Sequence, residues 1–322
     1  MIPYVRWLVV VILIGVAAWR LLPDFSSLPE LFKYKDNILL PWLAIAVFSQ
    51  TGQYIGSSWL SQVLLKIAGF RINFKNTLLI SCLNVFAAHI LPVGDAGMIA
   101  ATFFFYRKLG VPATNIIFLA LLWPIFGGIV LLTLFLTSLF FLPMTPNLSF
   151  QPSFVSLTVI NILTIIGIII FWKRKTVIRK LTVFLLKFPA FHEIVKFKHN
   201  LPVYRKSFLR NKLYVAEALI AAVLYYVSNI LTLIFSFIAF GSLPPLSVII
   251  FAYVLSLLAG WVTLAPAGIG AAEATLILVF LHFNVDATLS LATVLVFRLI
   301  TFWLPIPFGA LAFRILMKKD KK

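Results

Sequence analysis

The stretch WVTLAPAGIGAAEATLILVF, Trp261 to Phe280, decides how the rest of the chain is read. It is an apolar run interrupted by Pro266, Gly268 and Gly270, with a carboxylate, Glu273, just past the interruption. Open backbone at bilayer depth is tolerated only where protein or a water-filled cavity satisfies its polar groups. An acid at that depth is costly unless it is paired or used, so it marks a functional site. The same design occurs earlier, in HILPVGDAGMIAATFFFY, His89 to Tyr106. The two stretches align without gaps at an offset of 174 residues. Pro92 falls on Pro266, Gly94 on Gly268, Ala100 on Ala274, Val111 on Val285, Ala113 on Ala287 and Thr114 on Thr288, which we read as an internal repeat.

The surrounding composition is that of a membrane protein. The 322 residues are 62% hydrophobic and 11% charged, and several apolar runs exceed the roughly 20 residues needed to cross a bilayer. We expect an all-α polytopic membrane protein with 1–322 as one integral membrane domain and no soluble domain at either end. Six full spans are expected, at 3–22, 38–65, 113–141, 154–172, 213–240 and 287–313, with broken segments at 77–106 and 246–283. The run 3–22 is longer than a signal-peptide core and lacks a small-x-small cleavage site, so it reads as the first span. A single cysteine, Cys82, excludes an internal disulfide and Cys-rich metal sites. No cofactor is expected.

Charge sets the orientation. The formal net charge is +18, but the basic residues lie in loops between apolar runs, where the cytoplasmic bias of Lys and Arg accounts for them without a nucleic-acid partner. Lys66, Arg71 and Lys75 precede the first broken segment, and Arg107 and Lys108 follow it. The connection 173–212 carries twelve Lys and Arg residues against Glu193, and the tail carries Arg314, Lys318, Lys319, Lys321 and Lys322 against Asp320. Both termini therefore read as cytoplasmic. The first broken segment begins and ends inside, the second outside, so the two form an inverted arrangement of the kind that builds a central site open to either side in turn. The arms 77–91 and 95–106 are too short to cross, which favours a re-entrant hairpin. The arm 246–264 is longer, so the second segment is compatible with a re-entrant or a fully spanning form. Within 173–212, the stretch 176–190 has helically spaced apolar residues among Arg179, Lys180 and Lys187. It reads either as an interfacial helix drawn to an anionic lipid surface or as charge that only fixes topology.

Chemistry concentrates at the breaks. A half-helix starting near Gly94 or Gly268 presents unpartnered amides and the positive end of its dipole, a natural seat for phosphate or carboxylate. Gly270 belongs to the same turn, and Asp95 and Glu273 lie at the starts of the half-helices. Arg298 sits mid-span in SLATVLVFRLITFWLP. Its planar fork suits carboxylate or phosphate, and we expect it to pair with Glu273, with Asp95 as the competitor. His89 precedes the first break and reads as a headgroup contact, a proton carrier or a hydrogen-bonded structural residue. The alternative for the whole set is a structural ion pair in kinked, packed helices. No nucleophile-elbow, zinc-protease or phosphate-loop motif is present.

At these residues the chain resembles the lysylphosphatidylglycerol synthase transmembrane, or flippase-like, family. The resemblance is carried by Pro266, Ala267, Gly268, Ile269, Gly270, Glu273, Arg298, Trp303, Pro305 and Gly309, and more loosely by Pro92, Gly94 and Asp95. It implies an integral protein of a bacterial or archaeal plasma membrane that handles a phospholipid or lipid-linked substrate. It also implies the stand-alone type, without the cytosolic aminoacyl-transfer domain. The expected function is movement of a modified phospholipid, glycolipid or polyprenyl-phosphate headgroup between leaflets. An intramembrane lipid-modifying enzyme and a small-solute or ion carrier are the alternatives, and the chain is compatible with a monomer or a homo-oligomer.

Overall fold

The computed structural model describes residues 38–90, 95–142, 191–263 and 268–318, all helices and short turns. In order these are α1 (Leu40–Ile67), α2 (Phe74–Ile90), α3 (Asp95–Lys108), α4 (Ala113–Phe140), α5 (Phe191–Arg210), α6 (Lys212–Ala239), α7 (Leu246–Thr263), α8 (Ala271–His282), α9 (Ala287–Arg298), a π-helical turn (Leu299–Trp303) and α10 (Pro305–Lys318). The expected spans 3–22 and 154–172 and the stretch 176–190 lie outside the described residues.

Among the described residues, three helical stretches are long and apolar enough to cross a bilayer: Ala113–Phe140, Lys212–Ala239 and the continuous Ala287–Lys318. Helix α1 matches the expected span 38–65 and its 28 residues reach ~42 Å, but it is more polar, with Gln50, Gln53, Ser58 and Ser61 on its buried face. Helices α3 and α8, with 14 and 12 residues, reach only ~21 and ~18 Å, short of a ~30 Å hydrocarbon core.

The internal repeat extends well beyond the aligned breaks. Shifted by 174, the start of α4 at Ala113 falls on the start of α9 at Ala287, and the end of α3 at Lys108 falls on the end of α8 at His282. The turns repeat as well. After α1 the Phe70 N–H donates to Leu65 O, and after α6, two residues short of the 174 offset, the Ser242 N–H donates to Phe237 O. After α3 the Val111 N–H donates to Tyr106 O, and after α8 the Val285 N–H donates to Phe280 O. Each is a helix end closed through a left-handed residue, Gly69, Gly241, Gly110 and Asn284 respectively.

Contacts between helix ends order the bundle. The Leu39 N–H donates to Ala239 O at 2.9 Å, joining the start of α1 to the end of α6. At the other end Asn115 Nδ2 donates to Ala68 O at 3.2 Å, and Lys108 Nζ donates to Met317 O at 3.1 Å. Helices α2 and α3 therefore leave from and return to the end that holds the last turn of α10. Helices α7 and α8 leave from and return to the end that holds the start of α1.

The repeat-related helices α1 and α6 run antiparallel and in close contact. A Cβ on Gly56 would lie 2.7 Å from the Tyr225 backbone nitrogen and 2.8 Å from Ala221 O, and one on Gly52 would strike Ser228. Small residues let the backbones approach, which is how helices associate where lipid supplies no hydrophobic drive. Polar side chains add to the seam: Gln50 donates to Gln53, and Thr232 Oγ1 donates to Gln50 Oε1 at 3.2 Å. Ser58 Oγ reaches Ser81 Oγ of α2 at 3.1 Å. Gly309 of α10 sits equally close to α2, where a Cβ would lie 2.8 Å from Cys82 O.

Gly56→Leu is therefore expected to lower stability by about 3 kcal/mol or more, because the obstacle is backbone that cannot rotate aside. Gly128→Ala, which meets nothing within 4 Å, is expected to be near neutral. Thermal unfolding of the two variants in detergent, followed by tryptophan fluorescence, checks the contrast.

Candidate functional site

The site is assembled where α8 begins. Residues 268–270 form a short turn, and the helix proper starts at Ala271 rather than at Gly268. Gly268 (φ +68°) and Gly270 (φ +84°) both occupy left-handed backbone. A Cβ on Gly268 would lie 3.0 Å from the Cα of Gly260. Gly268 thus holds α8 tight against α7, a packing role not foreseen from the sequence.

Glu273 is the third residue of α8, and its two oxygens are both engaged. Oε2 accepts the Gly270 N–H at 2.7 Å, filling an amide that the sequence reading left open for a ligand. Oε1 lies 2.8 Å from Arg298 Nε, and the two side chains are only 16% and 18% exposed. The Nε–H does not point along that line, so the contact is an ion pair without a linear hydrogen bond. Among the described residues the Arg298 terminal nitrogens make no hydrogen bond.

Arg298 ends α9 at the point where the helix widens. The next five residues, Leu299–Trp303, form the π turn, with Leu304 N–H donating to Leu299 O at 2.9 Å. Pro305 and Pro307 have no N–H to return to Thr301 O and Trp303 O, so the regular ladder fails here. Such turns concentrate at functional sites. His89, at the end of α2, packs onto this irregular stretch: its ring stacks on Phe302 with centroids 4.0 Å apart, and Nδ1 lies 3.1 Å from Phe302 O. A carbonyl only accepts, so the hydrogen-bond network assigns the proton to Nδ1. Nε2 is left as an acceptor, without a hydrogen bond among the described residues.

Glu273, Arg298 and Gly270 are thus linked directly, Gly268 shapes the turn that opens α8, and His89 packs on Phe302, one turn beyond Arg298. Gly94 lies in 91–94, outside the described residues, as do the contacts of the Asp95 side chain, although Asp95 opens α3 as expected. Two contributors were missed in the sequence: the Phe302 carbonyl and Gly260. The Pro305-x-Pro307 spacing after Arg298 was a readable signal for the π turn, and for Gly260 against Gly268 the sequence offers none.

Glu273→Gln leaves a guanidinium without its counter-charge in a site more than four-fifths buried. It is expected to destabilise by about 3 kcal/mol, and the double change Glu273→Gln with Arg298→Met is expected to recover most of that loss. Unfolding midpoints of the single and double variants measure the difference.

The chain is 26% identical over 315 residues to the UPF0104 membrane protein of Methanocaldococcus jannaschii, covering 92% of each. Residues 6–309 match the model of the family described as the lysylphosphatidylglycerol synthase TM region. The chain is an integral membrane protein, and it belongs to the lysylphosphatidylglycerol synthase TM-region family.

Proposed function

We propose that this protein moves a polar, phosphate-bearing lipid headgroup between the two leaflets, acting as a transporter rather than an enzyme. The observation that carries this reading is the state of Arg298. Its charge is balanced by Glu273 through Nε, yet its terminal nitrogens make no hydrogen bond among the described residues. A guanidinium held in this way has its fork free for a phosphate, which it can grip through two parallel bonds. Glu273 would not be stranded when Arg298 turns to the phosphate, because Gly270 N–H and the positive end of α8 still hold its carboxylate. His89 Nε2 would accept from a hydroxyl or ammonium group of the headgroup. A cationic group there, or at Asp95, would offset the charge that the phosphate brings.

The rest of the cycle in this reading comes from the opposed helix pairs. With the basic loops on the cytoplasmic side, α2–α3 would enter as a re-entrant hairpin from the cytoplasm and α7–α8 from the outside. Rocking one pair against the other would open the same charges to each leaflet in turn. Both termini would then be cytoplasmic, in a bacterial or archaeal plasma membrane.

Reconstituted vesicles with a leaflet-resolved labelled phospholipid test the reading. Arg298→Ala is expected to cut translocation at least tenfold, and Arg298→Lys, which keeps the charge and loses the fork, to fall in between. Unchanged translocation in Arg298→Ala and Glu273→Gln, with both variants folded, would remove the assigned site. Flux of a water-soluble anion without lipid movement would favour a solute carrier. A chemically altered lipid would favour an intramembrane enzyme.

A further inference from the structure

Helix α5 lies within the basic connection 173–212, beyond the stretch in which the sequence suggested an interfacial helix. One face is docked. Phe197 and Tyr204 stack on each other, Tyr204 packs on Phe118 of α4, and Phe208 meets Phe126. Two polar links tie this face to the bundle. Ser207 Oγ donates to Ile67 O at 2.6 Å, at the end of α1, and Tyr204 Oη donates at 2.7 Å to Asn115 Oδ1 at the start of α4. The other face is open and mixed. His199, Val203, Lys206 and Arg210 follow one another at helical spacing and are all exposed, with Leu209 beside them and Leu213 exposed in the first turn of α6, past the non-helical Asn211. Val203, Leu209 and Leu213 are 65%, 61% and 80% exposed. Lys66 stands over the Tyr214 ring nearby, adding a cation, and Glu217 follows one turn beyond Leu213.

We propose that this face of α5 docks on an anionic phospholipid leaflet. The cations alone would suit any polyanion, but exposed leucine and valine interleaved with them suit only a partner with an apolar layer beneath its charge. The stripe ends at Asn211, where the backbone leaves the helix, and the next residues open α6, a helix long and apolar enough to span the bilayer, so the exposed Leu213 in its first turn places the end of α5 beside lipid. Lys206 and Arg210 take the headgroup phosphates, and Val203 and Leu209 enter the acyl boundary. The proposal is independent of what the central site carries.

The test places the full chain in nanodiscs of phosphatidylcholine alone or mixed with phosphatidylglycerol. An environment-sensitive fluorophore is attached at Val203→Cys in a Cys82→Ala background. In mixed discs the emission is expected to shift to the blue and to be quenched by lipids brominated on the acyl chain, with both effects weakened by salt. Lys206→Gln with Arg210→Gln is expected to reduce the inserted fraction on the order of tenfold. These are exposed positions whose loss leaves the docked face intact, and size-exclusion profiles confirm it. Emission typical of water in both lipids would overturn the proposal. So would quenching equal in the two lipids and untouched by the double variant, or binding of RNA or an acidic protein in preference to lipid.

Discussion

The structure turns on an ion pair between two residues that could not remain charged and buried separately. Glu273 and Arg298 lie 2.8 Å apart in a mostly apolar bundle. Breaking such a pair on one side leaves an uncompensated charge, which is far worse than having no pair at all. The backbone around them is arranged to keep the pair in place. A helix must start at Ala271 for Gly270 N–H to reach Glu273, and that start needs left-handed backbone at Gly268 and Gly270. The opposing helix must deliver Arg298 at the same level, and it does so just before its hydrogen-bond ladder widens into the π turn. Two irregular helices thus supply one regular contact.

That arrangement needs a rigid frame, which α1 and α6 provide. Lipid is as apolar as leucine, so burying leucine between helices gains little in a bilayer, and close backbone packing has to replace it. Gly52 and Gly56 bring the two helices to backbone contact, and Gln50, Gln53 and Thr232 hydrogen-bond inside the seam. The polarity that makes α1 less hydropathic than the other long helices is therefore what fastens it to its partner. Helix α2 is gripped from both sides, by Ser58 of α1 at Ser81 and by Gly309 of α10 at Cys82. His89 at its tip is positioned against Phe302 as a result.

Much of this was legible in the sequence because its signals are local. Pro and Gly within apolar runs placed both breaks, and the 174-residue offset anticipated helix starts at Ala113 and Ala287. Two buried charges of opposite sign in a low-charge chain have few partners, so Glu273 and Arg298 could be paired before any coordinates. What escaped depends on three dimensions. Gly52 and Gly56 look like ordinary helix glycines until α6 crosses them. Gly268 looked like a ligand-facing turn, but Gly260 lies against it. The Gly270 amide looked free, and only the bend of Glu273 back along its own helix shows that it is filled. Helix α5 was hidden by its charge: the basic residues explained themselves as topology markers, and the aromatic face at Phe197, Tyr204 and Phe208 drew no notice.

The repeat also shows where function parted from architecture. Helix ends and turns recur in both halves, but Glu273 and Arg298 have no charged residue at the equivalent positions. At the 174-residue offset Arg298 falls on Pro124, a proline inside α4, and Glu273 falls on Ile99, which is 58% exposed. The two equivalent helices are thus irregular at the same point, α4 through a proline and α9–α10 through the π turn beside Arg298. A duplicated frame accounts for the helix ends and turns that recur. It does not account for Glu273 and Arg298, which have no charged counterpart at the matching positions. The asymmetry lies in the chemistry gathered around one end of α9: its guanidinium, the capped carboxylate of α8 and, on Phe302 one turn beyond Arg298, the imidazole from the tip of α2. Under the proposed function, that asymmetry is what would hold a headgroup with distinct ends in one orientation.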